Sequence, residues 1–136
     1  MWHKDFTDRL TSWARLRTAV ESMELEQSLQ EISTWWYQAP WTGYHLDWDD
    51  CTIWPDPWQL LSDNIYCDVA RGLGILYTIT LLDHKDLISA ELVLTEDNRN
   101  LVLVNKEIYT LNWDVTVMVN TPLLQKIKHH YIPPSI

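Results

Sequence analysis

The sequence predicts an α+β fold, with N-terminal helices packed on a C-terminal antiparallel sheet of about four to five strands. Three observations predict it. Apolar residues recur at helical spacing as far as Trp36. From Ile75 onward, β-branched and aromatic residues gather in short runs. The links between those runs, notably Glu96 to Asn100 and Asn105 to Glu107, are as short as hairpins require.

Each element follows in turn. Asp5 is placed to cap a first helix, in which Phe6, Leu10, Trp13 and Val20 fall near one face and Leu16 on its border. Ser22 is placed to cap a second, where Leu25, Leu29, Ile32 and Trp36 follow the i, i+4, i+7, i+11 rhythm and Pro40 ends the helix. Arg9, Arg15, Arg17, Glu24 and Glu31 are expected mostly on outer faces. Residues 40–58 have no clean period, and their prolines, Gly43 and four Asp residues predict an ordered but irregular loop. Asp56-Pro57 reads as an N-cap followed by proline at the first helical position, opening a short helix through Leu61.

Residues 63–74 look like a further capped helix, with Ile65, Val69 and Leu73 on its apolar side and Gly74 as its stop. Strands are then expected over Ile75–Leu82, Leu87–Leu94, Leu101–Val104, Ile108–Trp113 and Val115–Val119, as a meander. Pro122 is placed to start a last short helix, and Pro133-Pro134 an extended end.

Length and composition bound the function. At 136 residues and 46% hydrophobic content, the chain suits one domain over 1–136. A domain of this size buries roughly two-thirds of its unfolded surface. Its parts are a helical, Trp-rich stretch (1–63), a helix plus antiparallel sheet (64–121) and a tail (122–136). The apolar run Gly72 to Leu82 is about half of what a helix needs to cross a bilayer, so no membrane association is expected. The N-terminus carries charges where a signal peptide needs an apolar run, which predicts a soluble, cytoplasmic protein.

Cys51 and Cys67 are the only cysteines and are expected to be free. The net charge is −9, and residues 1–63 hold eleven acids against four bases. That field repels phosphate backbones, so no nucleic-acid partner is expected. Only Lys126 to His130 is locally basic. His45, Asp47, Asp49 and Asp50 form an acidic loop whose spacing fits no EF-hand, so neither a metal nor a cofactor is expected.

The indoles are the other notable feature. Six of the nine, Trp35, Trp36, Trp41, Trp48, Trp54 and Trp58, fall between positions 35 and 58. Burial of about 150–250 Å² per ring can fix such a loop as an internal second core. Exposed, Trp41, Trp48, Trp54 and Trp58 would instead anchor a protein partner or, beside carboxylates, stack on sugars.

A cysteine near a helix start has chemical potential, because the partial positive charge there stabilises the thiolate. Cys67 is so placed. An acyl-transfer site then needs a base and a group that orients it. His84 and Asn105 supply those types in the order Cys, His, Asn. Read structurally, the same three residues are a buried helix residue, a solvated turn residue and a tight-turn residue.

The run Cys67-Asp68-Val69-Ala70-Arg71-Gly72-Leu73-Gly74-Ile75, followed by strands, resembles the core of transglutaminase-like and papain-like cysteine enzymes. The resemblance covers roughly residues 63–113. It implies Cys67 as nucleophile, His84 as base and Asn105 as orienter, in a cysteine hydrolase or acyl transferase that needs no metal. The chain departs from that pattern: the position where the family's His strand begins is Ala90, and Asn105 stands for the commoner Asp. A degenerate, inactive scaffold fits these departures. The layout is also similar to small proteins of tailed phages, through Trp35-Trp36, Trp54-Pro55-Asp56-Pro57-Trp58, Tyr66-Cys67-Asp68 and Leu76-Tyr77-Thr78. Together these readings point to a non-enzymatic assembly or interaction protein, incorporated into a phage virion, that binds a protein or itself. A cysteine enzyme and a glycan-binding module are the alternatives.

Overall fold

The structure, a computed structural model, describes residues 1–134. Four helices come first: α1 (Phe6–Val20), α2 (Leu25–Trp36), α3 (Pro57–Asp63) and α4 (Asp68–Thr80). Five strands follow: β1 (Ala90–Thr95), β2 (Asn100–Val104), β3 (Tyr109–Leu111), β4 (Met118–Val119) and β5 (Ile127–Tyr131). They form one sheet in the order β4-β3-β2-β1-β5, with every pairing antiparallel. The predicted α+β architecture is therefore present. No helix among the described residues is long and apolar enough to cross a membrane.

Two of the caps fall where the sequence puts them. The Asp5 side chain accepts from Thr7 N, and that of Asp56 accepts from Gln59 N ahead of Pro57. Ser22 does not cap α2. It hydrogen-bonds back to Ala19 O, and Glu24 is the N-cap instead. The second helix stops at Trp36 before Pro40 can break it, because the Gln38 and Ala39 N–H groups close in 3₁₀ fashion on the Trp35 and Trp36 carbonyls. The third runs two residues past Leu61, to Asp63, and Asn64 ends it in the left-handed conformation. The irregular loop contains a 3₁₀ segment over Trp48–Ile53.

The largest departure is α4. It begins at Asp68, not near Asp63, and continues through Gly74 to Thr80. The strand expected over Ile75–Leu82 is thus mostly the second half of this helix. The reason is contact on every side: Ile75, Leu76, Tyr77, Thr78 and Ile79 are all buried. A helix enclosed all round shows the same unbroken apolar run as an interior strand. Gly74 is not a stop but a clearance, since a Cβ there would lie 2.5 Å from the Trp36 ring. Gly72 does the same toward the sheet, where a Cβ would lie 2.8 Å from Leu92.

Thr78 joins the helices. Its hydroxyl accepts from the indole N–H groups of Trp13 (α1) and Trp36 (α2), both at 2.9 Å, and donates to Gly74 O. Every hydrogen-bonding capacity of that hydroxyl is used. Arg9, expected outside, is buried: its guanidinium donates to Leu61 O, His3 O and Lys4 O. It ties the start of the chain to the end of α3. Trp2, Trp35, Trp36 and Tyr66 form a contiguous aromatic cluster beside it, at centroid spacings from 4.7 to 5.8 Å.

The sheet has two apolar faces. Leu92, Val102, Val104 and Leu111 join the helical core, whereas Val93, Leu101 and Leu103 form a separate cluster on the alternate side. The short helix expected from Pro122 is absent; residues 127–131 are strand β5. Because β4 and β5 lie at opposite edges, the chain between them crosses the sheet, and Leu123 packs on the second cluster. The expected strands also shorten: Leu87–Leu94 starts at Ala90, and Val115–Val119 reduces to Met118–Val119.

Candidate functional site

The amino end of α4 opens onto a cavity of about 420 Å³. Cys67 is the N-cap residue there, with an extended backbone, and its side chain makes no cap bond to the helix. The thiol is only 3% exposed, and its sulfur accepts from Leu46 N at 3.5 Å. Asp68, the first helical residue, places its carboxylate where the helix dipole favours negative charge. It accepts from Trp41 Nε1 at 3.3 Å and pairs with Arg71 at 3.1 Å. The Arg71 guanidinium lies 4.0 Å from the Tyr37 ring centroid and also donates to Asn112.

The loop before α3 supplies the facing wall. Tyr44 donates its hydroxyl to Asp47 Oδ2 at 3.0 Å, while Asp47 Oδ1 accepts from Asp49 N. The Asp49 N–H, and then the Tyr44 hydroxyl, hold the Asp47 carboxyl below its usual range. The same bond to Asp47 pushes the Tyr44 phenol up. Trp48 donates to Asn100 Oδ1 at 2.8 Å and stacks on His129 at 5.8 Å between centroids. Trp54 packs edge-on against Trp48 and donates to Asp47 O. Leu94 and Asn98 complete the lining from the β1–β2 hairpin.

The expected Cys67–His84–Asn105 triad does not assemble. Cys67 precedes α4 and His84 follows it, so the thirteen-residue helix separates them by about 20 Å along its axis. Both partners are also occupied. His84 is largely buried; its Nδ1 accepts from Asp86 N, so Nε2 carries the proton donated to Met23 O at 2.8 Å. Asn105 adopts positive φ in the β2–β3 turn, accepts from Ile88 N and Ser89 N, and donates to Asp86 O. What the two share is Asp86, to which both bond as pins that hold residues 84–89 against neighbouring turns. Among the described residues, no histidine lines the Cys67 cavity.

The four indoles expected to bind ligand also divide. Trp41 is 61% exposed and Trp58 44%, whereas Trp48 and Trp54 are half-buried walls. Trp58 sits apart, edge-on to Trp13. Sequence reasoning missed Tyr44, Asp47, Asn98, Asn100, Arg71 and His129 as parts of this face. Only strand register brings Asn100 and His129 to it, since both pair with Leu94 from opposite sides. Among the described residues, no group of three or more His, Cys, Asp or Glu side chains is placed to hold a metal.

Compared with protein-family models, with curated proteins and with solved structures, the chain gives no match.

Proposed function

We propose that this protein is a non-enzymatic interaction module that recognises a protein partner through the face around the amino end of α4. The setting suggested by its resemblance is the assembly or virion of a tailed phage. One observation carries the reading: Trp41 and Tyr44, 61% and 70% exposed, flank Gly43 at the Cys67 cavity, beside the paired Asp68 and Arg71. Tyrosine, tryptophan and arginine dominate the energetics of protein interfaces. Here they are held in place by hydrogen bonds before any partner arrives, which lowers the ordering cost of association.

The test is the double variant Trp41→Ala/Tyr44→Ala, compared with Trp58→Ala as an exposed-indole control. Light scattering over a dilution series reports self-association, and capture from host lysate reports another partner. The double variant should abolish association and the control should leave it intact. A wild-type protein that stays monomeric and captures nothing, or a double variant that associates normally, refutes the reading.

A glycan ligand is the second reading. It is favoured by the Tyr44 ring, the Asp47 carboxylate and the Asn98 and Asn100 amides around one cavity. Soluble cell-wall fragments that change tryptophan fluorescence in the wild type, but not in the double variant, support it over a protein partner.

A further inference from the structure

A second recess lies beyond Trp54. It has a volume of about 310 Å³ and is lined by the aromatic residues Trp54, Tyr77 and Tyr131 together with Cys51, Thr52 and Pro134, with Asp56 as its charged side chain. Two of its walls are fixed by hydrogen bonds at their polar edges. Trp54 donates to Asp47 O at 2.8 Å, and Tyr77 donates its hydroxyl to Pro55 O at 2.6 Å. The Tyr131 ring meets Trp54 at 4.8 Å between centroids with a 53° tilt. Two half-buried rings thus form a wedge, closed at its base by a buried third.

This chemistry selects a cation of one kind. Aromatic faces carry negative potential, attract cations within about 6 Å of the ring centroid and repel anions. A space of 310 Å³ is about 4 Å in radius if spherical, roomy enough for a small alkylammonium beside these aromatic walls. Asp56 adds a full negative charge, and its Oδ1 is held by Gln59 N. The recess offers no chelating set, since no metal-holding group exists among the described residues. A strongly hydrated ammonium would lose hydrogen bonds that rings cannot replace, whereas an alkylated one has none to lose.

We propose that this recess binds a small quaternary ammonium group. The occupant is distinct from the partner of the α4 face, although Trp48 and Trp54 form a shared wall between the two sites.

Saturation-transfer NMR on the full chain tests it, with choline as probe and 3,3-dimethylbutan-1-ol as an uncharged isostere. Choline should bind at least tenfold more tightly than the alcohol. Asp56→Asn keeps the α3 cap, because Asn caps as well as Asp. It should weaken choline severalfold and leave the alcohol unchanged. Tyr131→Leu, checked for folding by circular dichroism, should also weaken choline. Phosphocholine and a trimethyllysine peptide form separate arms, and a tenfold preference identifies whether a headgroup or a side chain delivers the cation. Equal binding of choline and alcohol, or choline binding unaltered in both variants, overturns the proposal. Because the probe does not touch Trp41 or Tyr44, failure here leaves the α4-face reading standing, and the reverse holds.

Discussion

Replacing Thr78 by valine should be among the most damaging conservative changes in this protein. The side chains have nearly the same shape, so packing is preserved, but the hydroxyl that serves both Trp13 and Trp36 disappears. Two buried indole N–H groups then lose the acceptor they share. An orphaned buried donor costs about 1–3 kcal/mol, so the pair costs about 2–6 kcal/mol. The added methyl offsets about 0.8 kcal/mol through burial. A net loss of about 1–5 kcal/mol remains, against a total of about 5–15 kcal/mol for an ordinary domain. For a chain of this size that corresponds to a fall in Tm on the order of 4–20 °C. Urea denaturation followed by circular dichroism gives the value directly. Thr78→Ser is the control, because it keeps the hydroxyl and gives up only a methyl. In a Trp13→Phe background, which removes one donor, the cost of the valine should fall by roughly half. If valine and serine variants are equally stable, or if the Trp13 background makes no difference, the hub reasoning is wrong.

Gly74→Ala should destabilise the protein by about 1–3 kcal/mol despite the better helix propensity of alanine, since the new Cβ would meet the Trp36 ring at 2.5 Å; equilibrium unfolding decides, and a more stable variant would count against the clearance role. Tyr66 and Tyr77 phenols are pushed well above their ordinary 10.0, chiefly by burial, so the fold favours their neutral forms. That contribution is intact below the unfolded pKa and drains as pH rises beyond it, by about 1.4 kcal/mol per pH unit for each phenol. Tyr66→Phe should therefore flatten the alkaline limb of the stability curve, and an unchanged slope above pH 10 would contradict the assignment. Cys51 is half-buried and Cys67 buried, so a thiol reagent should label Cys51 in the native state and Cys67 only on unfolding. Rapid labelling of Cys67 well below pH 8 would instead favour the cysteine-enzyme alternative.

Where the sequence carried local signals, it was legible. Asp5, and Asp56 with Pro57, mark helix starts because capping is a property of a few neighbouring residues. Asn105 and Lys106 mark the β2–β3 turn because few residues accept positive φ. Ile75–Leu82 misled because strand propensity is weaker than enclosure: the glycines at 72 and 74 let Leu92 and Trp36 approach, and that packing decides the helix. The strand β5 was hidden by its polar sequence, Lys128-His129-His130, which suits an exposed edge and shows no apolar alternation. The candidate sites inherit that blindness. His129 and Tyr131 reach Trp48 and Trp54 only once β5 has paired with β1, and no local pattern announces the pairing.

The placement of β5 has a consequence for how the two recesses are built. After β4 the chain crosses the back of the sheet to the far edge, where its last strand pairs with β1. His129 and Tyr131 arrive with it, stacking behind one recess and walling the other. The two recesses therefore lean on this strand unequally: it supplies a wall of the one beside Trp54, while Tyr44 and Asp68 line the other without it.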